Sequence, residues 1–386
     1  MESEIKLNIE SCVTRQLAVN LNPDYSLLGG CLGQVLYLFF SSECNDEKYE
    51  RACRYLDKAL MSVRRRPLSP TYCNGVAGLC VGLICLEKYG FLEDISEAIG
   101  VYDSYLTDSL NKIIKYDLDF LHGAIGIGIY FIKKATFDDS AVDKIVAILD
   151  YLEEHSIRND NGWTFWLYPN RFRQLEQNLS ISHGICSTAM FVARAYKVIR
   201  TDANREKCIR LLQGIGRYLT SHLNDPNIYG CYTPALPEGG KTRLGWCYGD
   251  MGTSMALRAI GEITGDKAIL ELSYEIALFT ALNRNDLTAD GIHDASMCHG
   301  SAGVAHFFYN CFLHYGNPEF LNAFERWRRI TLDMYDYLDN EKMFGFFHYD
   351  TLRKQKCLNI LEGDTGVGLM LMRQHEVLDD LLLYEY

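Results

Sequence analysis

A glycine motif that recurs seven times constrains this chain of 386 residues more than any other feature. In six of the seven copies two glycines stand three residues apart, and an apolar segment with helical periodicity follows every copy. The fourth copy has Ser187 in place of its second glycine, a small residue that we expect the fold to tolerate. Successive copies begin 45 to 65 residues apart, so each repeat has room for two helices and their connections. Numbered one to seven, the motifs begin at Gly30, Gly75, Gly123, Gly184, Gly249, Gly300 and Gly363.

Two kinds of predicted helix alternate along the chain. The segment after each glycine motif is apolar on most faces, which predicts an inner helix. The longer segments between the motifs carry one apolar stripe and one charged face, which is typical of an outer layer. Seven inner and seven outer helices close most simply into an all-α (α/α)7 toroid, a double ring that forms one domain over residues 1–386. The clearest outer segments are 48–63, 94–116, 204–223, 267–282 and 319–338.

The glycines themselves have a predicted role at the start of each inner helix. We expect them to allow positive φ and a close approach of backbone segments where the repeats converge. Aromatic segments outside the helical pattern precede motifs four to seven and predict short strands or ordered loops over one rim of the toroid. These segments, which would form the walls of a cleft, are 163–168, 229–243, 286–293 and 343–356.

Composition excludes several classes of function. The formal charge is −12 and no run of basic residues is longer than the three at Arg64–Arg66, so the sequence predicts no binding of nucleic acid. We expect no integral membrane segment, because no apolar run is long enough to span a bilayer. The N-terminus does not resemble a secretory signal, which favours a cytoplasmic protein. The 14 cysteines lie mostly in apolar helical segments and are interpreted as reduced thiols rather than a disulfide framework.

Two cysteines hold the same place in neighbouring repeats. Cys247 and Cys298 each stand two residues before a glycine motif, and the 51 residues between them equal the spacing of motifs five and six. His299 follows directly, and a Cys2His set with one open position is a known arrangement for catalytic zinc. Two thiolates neutralise Zn²⁺, so such a site suits activation of a thiol better than activation of water. Cys73 occupies the equivalent place without an evident partner, and we interpret it as a core thiol.

The register of the repeats brings further candidates to the same rim. His183, like His122, stands one residue before its glycine, and Asp119 stands four residues before motif three. Arg243 and Tyr248 flank Cys247. Together they offer an acid–base group, a carboxylate and a cation. Simpler interpretations stay open: a helix cap for His183, a helix N-terminal charge for Asp119, a salt bridge for Arg243 and a packing role for Tyr248.

Three short motifs carry a resemblance to a known family. The sequences Ser182-His183-Gly184, Trp246-Cys247-Tyr248-Gly249 and Cys298-His299-Gly300 resemble those of the lanthipeptide synthetase C family, the lantibiotic cyclases and their LanC-like relatives. The resemblance extends over nearly the whole chain through the seven glycine motifs. It implies an α-toroid with zinc held at one end by Cys247, Cys298 and His299.

The same resemblance implies a reaction and its participants. The family adds a peptide cysteine thiol to dehydroalanine or dehydrobutyrine, forming lanthionine or methyllanthionine. The implied substrate is a dehydrated precursor peptide. Because no dehydratase domain is fused to the chain, we expect a separate dehydratase, and an exporter as a further partner. The implied active-site residues are Asp119, His183, Arg243 and Tyr248.

Two alternatives to the cyclase are retained. One is a LanC-like enzyme that uses the same zinc to add glutathione or another external thiol to dehydrated residues. The other is a non-catalytic toroid that binds peptide and keeps zinc for structure. The short intervals between motifs also leave no room for an inserted domain, so we expect leader-peptide recognition to depend on loops or on a partner.

Overall fold

The computed structural model describes residues 1–19, 24–42, 45–65, 69–236 and 239–385. These residues divide into two compact units. Unit 1 contains Met1–Asp103 and Ile292–Leu382, and unit 2 contains Ser104–Gly291 and Leu383–Tyr386. In the described part of the chain, no helix is both long enough and apolar enough to cross a membrane.

Helices account for most of the ordered structure, and the strands are short. The described helices are α1 (Glu2–Val19), α2 (Cys31–Phe40), α3 (Asp46–Arg65), α4 (Val76–Lys88), α5 (Ser96–Gly100), α6 (Asp103–Ile113), α7 (Ala124–Lys134), α8 (Val142–Glu154), α9 (Ile185–Val198), α10 (Asp202–Ser221), α11 (Pro226–Tyr229), α12 (Asp250–Thr264), α13 (Lys267–Asn283), α14 (Ser301–Tyr315), α15 (Pro318–Asp333), α16 (Asp364–Leu371) and α17 (His375–Leu382). The strands are β1 (Ile157–Arg158), β2 (Thr164–Phe165), β3 (Tyr168–Pro169), β4 (Leu175–Glu176), β5 (Pro234–Leu236), β6 (Gly239–Lys241), β7 (Tyr335–Leu338), β8 (Glu341–Phe344), β9 (Phe346–His348) and β10 (Arg353–Gln355), joined in antiparallel pairs.

Every glycine motif starts a helix, as the sequence predicts. The first glycine is the N-cap residue of α2, α4, α7, α9, α12, α14 and α16. These helices are largely buried, and in α2 every residue is buried. No side chain caps them, so the first helical N–H needs another acceptor. In six of the seven motifs that N–H donates to the carbonyl six residues before the glycine, as Val76 does to Ser69 at 2.7 Å.

The predicted positive φ is wrong for six of the seven motif glycines. Only Gly249 has it, at φ 108°, whereas the others have extended backbone. The predicted close approach explains them instead. A Cβ at Gly75 would lie 2.1 Å from the Ser69 carbonyl oxygen, closer than any side chain can come. Ser187 is tolerated as expected, because its hydroxyl donates to the Gly184 carbonyl at 2.8 Å.

The outer helices follow the predicted segments with two corrections. Helices α3, α10, α13 and α15 lie where the sequence predicts them, and α12 packs on α13 and α14 on α15 within their own units. The segment 94–116 is not one helix but two, α5 and α6, since Gly100 weakens the helix between them. The helix predicted over 319–338 ends at Asp333, because β7 pairs with β8 and uses its backbone groups there.

The four predicted rim segments contain short strands in three places and an ordered loop in the fourth. Segment 163–168 contains β2 and the start of β3, segment 229–243 contains β5 and β6, and segment 343–356 contains β9 and β10. Residues 237–238 of the second segment lie outside the described residues. Segment 286–293 is fully described and contains no strand, so it is the ordered loop that the sequence offered as the alternative. There the Asp290 carboxylate accepts the N–H of Asp286 at 3.1 Å and closes a turn instead.

Candidate active site and metal ligands

A repeated turn positions the candidate side chains. In four repeats the residue six before the glycine is Asp or Asn, and its side chain accepts the N–H two residues on, which is an Asx turn. The turn leaves the residue directly before the glycine at the start of the inner helix. In motifs three to six these residues are His122, His183, Tyr248 and His299. The regular position of these residues, one before each glycine, therefore follows from the conformation of the backbone turn.

In unit 2 these turns surround a cleft of about 670 Å³. The predicted residues Asp119, His183 and Tyr248 all line it. His122 also lines it, with its ring nearly parallel to that of His183 at a centroid distance of 5.9 Å. The tip of the β3–β4 hairpin, residues 169–173, forms one wall. Three of the four predicted catalytic residues are thus brought together within one unit.

The most direct contact in the cleft joins His183 to Asp119. His183 Nδ1 lies 2.9 Å from Asp119 Oδ2. The other Asp119 oxygen accepts the N–H groups of His122 and Gly123, so the carboxylate also closes the turn. Burial lowers the pKa of His183, but the hydrogen bond and charge of Asp119 outweigh it and hold that pKa above the usual 6.5. Burial likewise raises the pKa of Asp119, and its bonds to His183 and His122 bring it below 3.8.

Asp117 is a cleft residue that the sequence interpretation missed. Its carboxyl is buried, and burial, followed by the charge of Asp119, raises its pKa to about 6. Arg173 Nη1 lies 3.5 Å from Asp117 Oδ2. The signal was present as Asp117-Leu118-Asp119, two carboxylates at alternate positions before a glycine motif. Asp117, but not Asp119, therefore titrates closer to neutral pH than an ordinary carboxyl group does, within the range useful for acid–base chemistry.

Tyr248 and its neighbours anchor the fifth repeat. The Tyr248 hydroxyl accepts a hydrogen bond from Asn178 Nδ2 at 3.3 Å, and burial raises its pKa above 10.0. The phenol therefore stays protonated and can donate. The Ser182 hydroxyl donates to the Cys247 carbonyl at 3.2 Å, which connects the Ser-His-Gly segment to the cysteine. Fully buried Trp246 packs below the site, edge-to-face with Phe120.

Arg243 occupies an unusual place in the repeat. It stands six residues before its glycine, where the Asx turns of other repeats have Asp or Asn. Arg243 is half-buried. A Cβ added to Gly291 would lie only 3.1 Å from the Cβ of Arg243. The residues that line the 670 Å³ cleft do not include it. These contacts define the position of the Arg243 backbone. The role of its side chain in the reaction stays a prediction.

Unit 1 contains Cys298 and His299, both buried. His299 Nε2 lies 3.5 Å from Asp294 Oδ2. Asp294 also accepts the N–H groups of Ser296 at 2.8 Å and Phe347 at 3.1 Å. Burial raises the pKa of Asp294, but the contact with His299 outweighs it and keeps that pKa below 3.8. The structure thus places the Asp294 carboxylate beside the histidine, a contact that the sequence analysis did not predict.

The donor atoms of Cys247, Cys298 and His299 suit a metal ion. Each of the three residues is buried and offers one ligand atom, and together they are a candidate metal-ligand group. Two sulfurs and one imidazole nitrogen are donors that zinc prefers. The cysteines in the described residues are free thiols, so neither sulfur is lost to a disulfide. Cys73, in contrast, donates its thiol to the side-chain oxygen of Asn74 at 3.4 Å.

Comparison with known proteins identifies the fold and the family of the chain. Among solved structures, nisin cyclase matches with a TM-score of 0.74 and 17% identity over 98% of this chain and 99% of its own. This match confirms the predicted all-α toroid fold class. A cellobiose 2-epimerase from Bacillus thermoamylovorans matches with a TM-score of 0.45 and 12% identity over 79% of this chain and 89% of its own, too weakly to support any argument. The family model for lanthionine synthetase C-like protein matches residues 23–380. Since that match spans nearly all of the chain, the protein belongs to the lanthionine synthetase C-like family.

Proposed function

We propose that this protein is a zinc-dependent lanthipeptide cyclase. Its substrate would be a precursor peptide with dehydroalanine or dehydrobutyrine residues. A cysteine thiol of the same peptide adds to the β-carbon, a carbon–sulfur bond forms, and the α-carbon gains a proton. The observation that carries the proposal is the hydrogen-bonded His183–Asp119 pair in a cleft that Tyr248 also lines, within a chain of this family.

Cys247, Cys298 and His299 would hold the zinc. When bound, zinc lowers the pKa of a substrate thiol, so that the thiolate forms at neutral pH. Asp294 Oδ2 lies 3.5 Å from Nε2 of His299, and its charge would favour one orientation of the ring. A carboxylate behind a ligating histidine also increases the basicity of the ligand. Asp294 therefore joins the proposed site as a positioning residue.

His183 would deliver the proton to the α-carbon. Thiolate attack leaves an enolate, whose α-carbon must be protonated to complete the thioether. Nδ1 of His183 is engaged by Asp119, which leaves Nε2 as the atom that can transfer a proton. The raised pKa keeps a larger share of the ring protonated near neutral pH. Asp119 would orient the ring and stabilise its charge.

Arg243 and Tyr248 would stabilise the enolate. Negative charge develops on the carbonyl oxygen of the dehydro residue during attack, and fixed donors lower the energy of that charge. The Tyr248 phenol is a neutral donor because its pKa is raised by burial. Arg243 would supply a permanent cation. Its guanidinium cannot accept the N–H that Asp or Asn accepts at this place in four other repeats, which supports a role other than closing the turn.

The remaining parts of the proposal concern context. We propose that residues 1–386 act as one catalytic domain in the cytoplasm, supplied by a separate dehydratase and followed by an exporter. The substrate must fold back within the site so that thiol and alkene meet. Holding two reactive groups of one peptide together raises their effective concentration and favours ring closure over reaction between molecules.

A mass measurement with thiol labelling tests the function. The purified zinc-loaded protein is incubated with the dehydrated precursor encoded beside its gene. Cyclisation consumes peptide thiols without changing the peptide mass, because the addition is internal. A mass gain equal to glutathione, when glutathione is present, would instead identify the external-thiol alternative. Stoichiometric zinc with no loss of peptide thiols would contradict the cyclase and favour a binding protein.

A further inference from the structure

Unit 1 contains a second cavity, of about 730 Å³, which shares no lining residue with the 670 Å³ cleft. It lies against α1, the start of α2 and the segment before α16. Much of its lining is apolar side chain or thiol, and ion pairs lie at its edge. The residues that line it include Gln16, Ala18, Cys31, Gln34 and Lys356.

This cavity and a cleft beside His299 share two lining residues. A smaller cleft of about 420 Å³ in the same unit is lined by His299 and Asp294. Lys356 and Cys357 line both spaces. The two spaces therefore lie next to each other within unit 1.

The side-chain amide oxygens of two glutamines that line the cavity accept no hydrogen bond from the described residues. Gln34 is 3% exposed, and its Oε1 is buried with no partner among the described residues. The Oε1 of Gln16 is in the same condition. A buried acceptor without a donor costs roughly 1–3 kcal/mol, so a ligand that brings N–H groups gains affinity by pairing with it. An extended polypeptide offers one N–H for almost every residue.

Three of the four charged residues that line the cavity are joined in ion pairs, and the fourth, Asp24, accepts the N–H of Ser26 at 2.9 Å. Arg15 Nη1 lies 2.9 Å from Glu341 Oε1, and Lys356 Nζ lies 2.9 Å from Glu341 Oε2. Burial raises the pKa of both the Cys31 and the Cys357 thiols to about 11, so these sulfurs stay neutral. Neutral thiols add poorly to dehydro residues. The lining suits an uncharged apolar peptide rather than an anion or a metal ion.

We propose that this cavity binds an extended, apolar segment of the substrate peptide that lies outside the ring being closed. Main-chain N–H groups of that segment donate to Gln34 and Gln16. The inference rests on the proposed function, because it takes the occupant to be the same peptide that reacts. It adds a binding region that holds the peptide while its reactive residues occupy the cleft near His299.

Filling the cavity tests the proposal. Ala18→Trp places an indole in the cavity from an exposed position on α1, so the fold is expected to survive. Leu7→Trp adds the same ring to α1 at a 61% exposed position outside the cavity. Binding of fluorescently labelled dehydrated precursor is measured by anisotropy. We expect at least a tenfold higher Kd and KM for A18W with kcat nearly unchanged, and wild-type values for L7W.

A second variant removes the acceptor rather than the space. Gln34→Leu keeps a similar volume and deletes the unpaired amide, so the free protein is expected to keep or raise its Tm. We expect its affinity for the precursor to fall about fivefold. A lower Tm with unchanged affinity would mean that Gln34 serves only the fold, and wild-type affinity in both A18W and Q34L would overturn the proposal.

A short peptide separates this inference from the proposed function. It contains only the dehydro residue, the cysteine and the residues between them, and so has no segment to occupy the cavity. Wild type and A18W are expected to cyclise it equally. If the wild type forms no thioether with either peptide, the proposed function fails, and the anisotropy measurement still decides whether the cavity binds the precursor.

Discussion

Among single residues, Asp119 controls the protonation of its neighbour His183. The pKa of His183 is raised, so the imidazolium persists to higher pH than usual and is lost as pH rises through that pKa. Asp119, with its lowered pKa, stays ionised throughout this range. If the imidazolium is the acid, the cyclisation rate falls on the alkaline side of the pH profile. The acid limb belongs to other groups, such as Asp117 with its pKa of about 6.

Asp119→Asn tests this coupling. Asparagine can still close the turn, but it removes the charge that raises the pKa of His183. We expect that pKa to fall, the alkaline limb to move to lower pH, and the rate near pH 7 to drop by about 10²-fold or more. NMR titration of the histidine and a pH–rate profile measure both effects. Asp139→Asn, at an exposed carboxylate, is the control, and an unchanged profile in D119N would refute the pairing.

The catalytic contribution of Arg243 can be tested separately from its contribution to the fold of the repeat. Asp or Asn closes the equivalent turn in four other repeats, so Arg243→Asn gives the fifth repeat the residue type that the backbone prefers. We expect an unchanged or higher Tm together with a rate about 10²-fold lower, because the enolate loses its cation. Thermal unfolding and single-turnover kinetics give the two values. Wild-type rates in R243N would leave Arg243 without a catalytic role.

The proposed zinc ligands make a prediction about metal content. Alanine at Cys247, Cys298 or His299 is expected to abolish stoichiometric zinc, because losing one of three protein ligands breaks a site of this kind. Elemental analysis measures this independently of activity. Cys73→Ala, at the equivalent place of another repeat, is expected to keep its zinc. A variant at one of the three positions that retains full zinc would remove that residue from the ligand set.

Among the secondary-structure elements, the turn into α12 differs from the other helix starts. Gly249 has φ 108°, and a Cβ there would lie 2.5 Å from the Arg243 carbonyl oxygen. Gly249→Ala is therefore expected to lower the free energy of unfolding by about 2–4 kcal/mol, from backbone strain plus the clash. Gly265→Ala, at φ 71° with no atom within 4 Å of the added Cβ, is expected to cost only about 1 kcal/mol. Equal losses in urea unfolding would contradict the steric explanation.

For the molecule as a whole, the proposed zinc contributes to stability as well as to chemistry. A ligand that binds only the native state stabilises it by about 4 kcal/mol when present at a thousand times its Kd. Removing zinc with a chelator is therefore expected to lower Tm, and adding zinc back is expected to restore it. The C298A variant should show the low Tm with and without zinc. An identical Tm for the zinc-free and zinc-loaded wild type would argue against a well-bound metal.

Several features were predictable because they follow from local backbone chemistry. The seven helix starts came from the glycine motifs alone, since each glycine meets a backbone carbonyl too close for a Cβ. The register of His183, Cys247 and His299 came from the same turns. The predicted positive φ was wrong at six motifs, because two conformations demand glycine and a sequence does not tell them apart. The break at Gly100 was missed because a single glycine inside a periodic segment is often tolerated.

The sequence by itself determined the repeat, the places of the helices and the types of donor atom available, because each depends on neighbours along the chain. Only the tertiary structure decided which carboxylates face which rings. Asp119 and His183 are 64 residues apart, and their 2.9 Å contact depends on the packing of separate repeats. The sequence pattern also did not predict the contact of Asp294 with His299 or the unpaired amide oxygen of Gln34. Hydrogen bonds and desolvation act over a few ångströms in space, so pKa values and binding cavities appear only when the chain is folded.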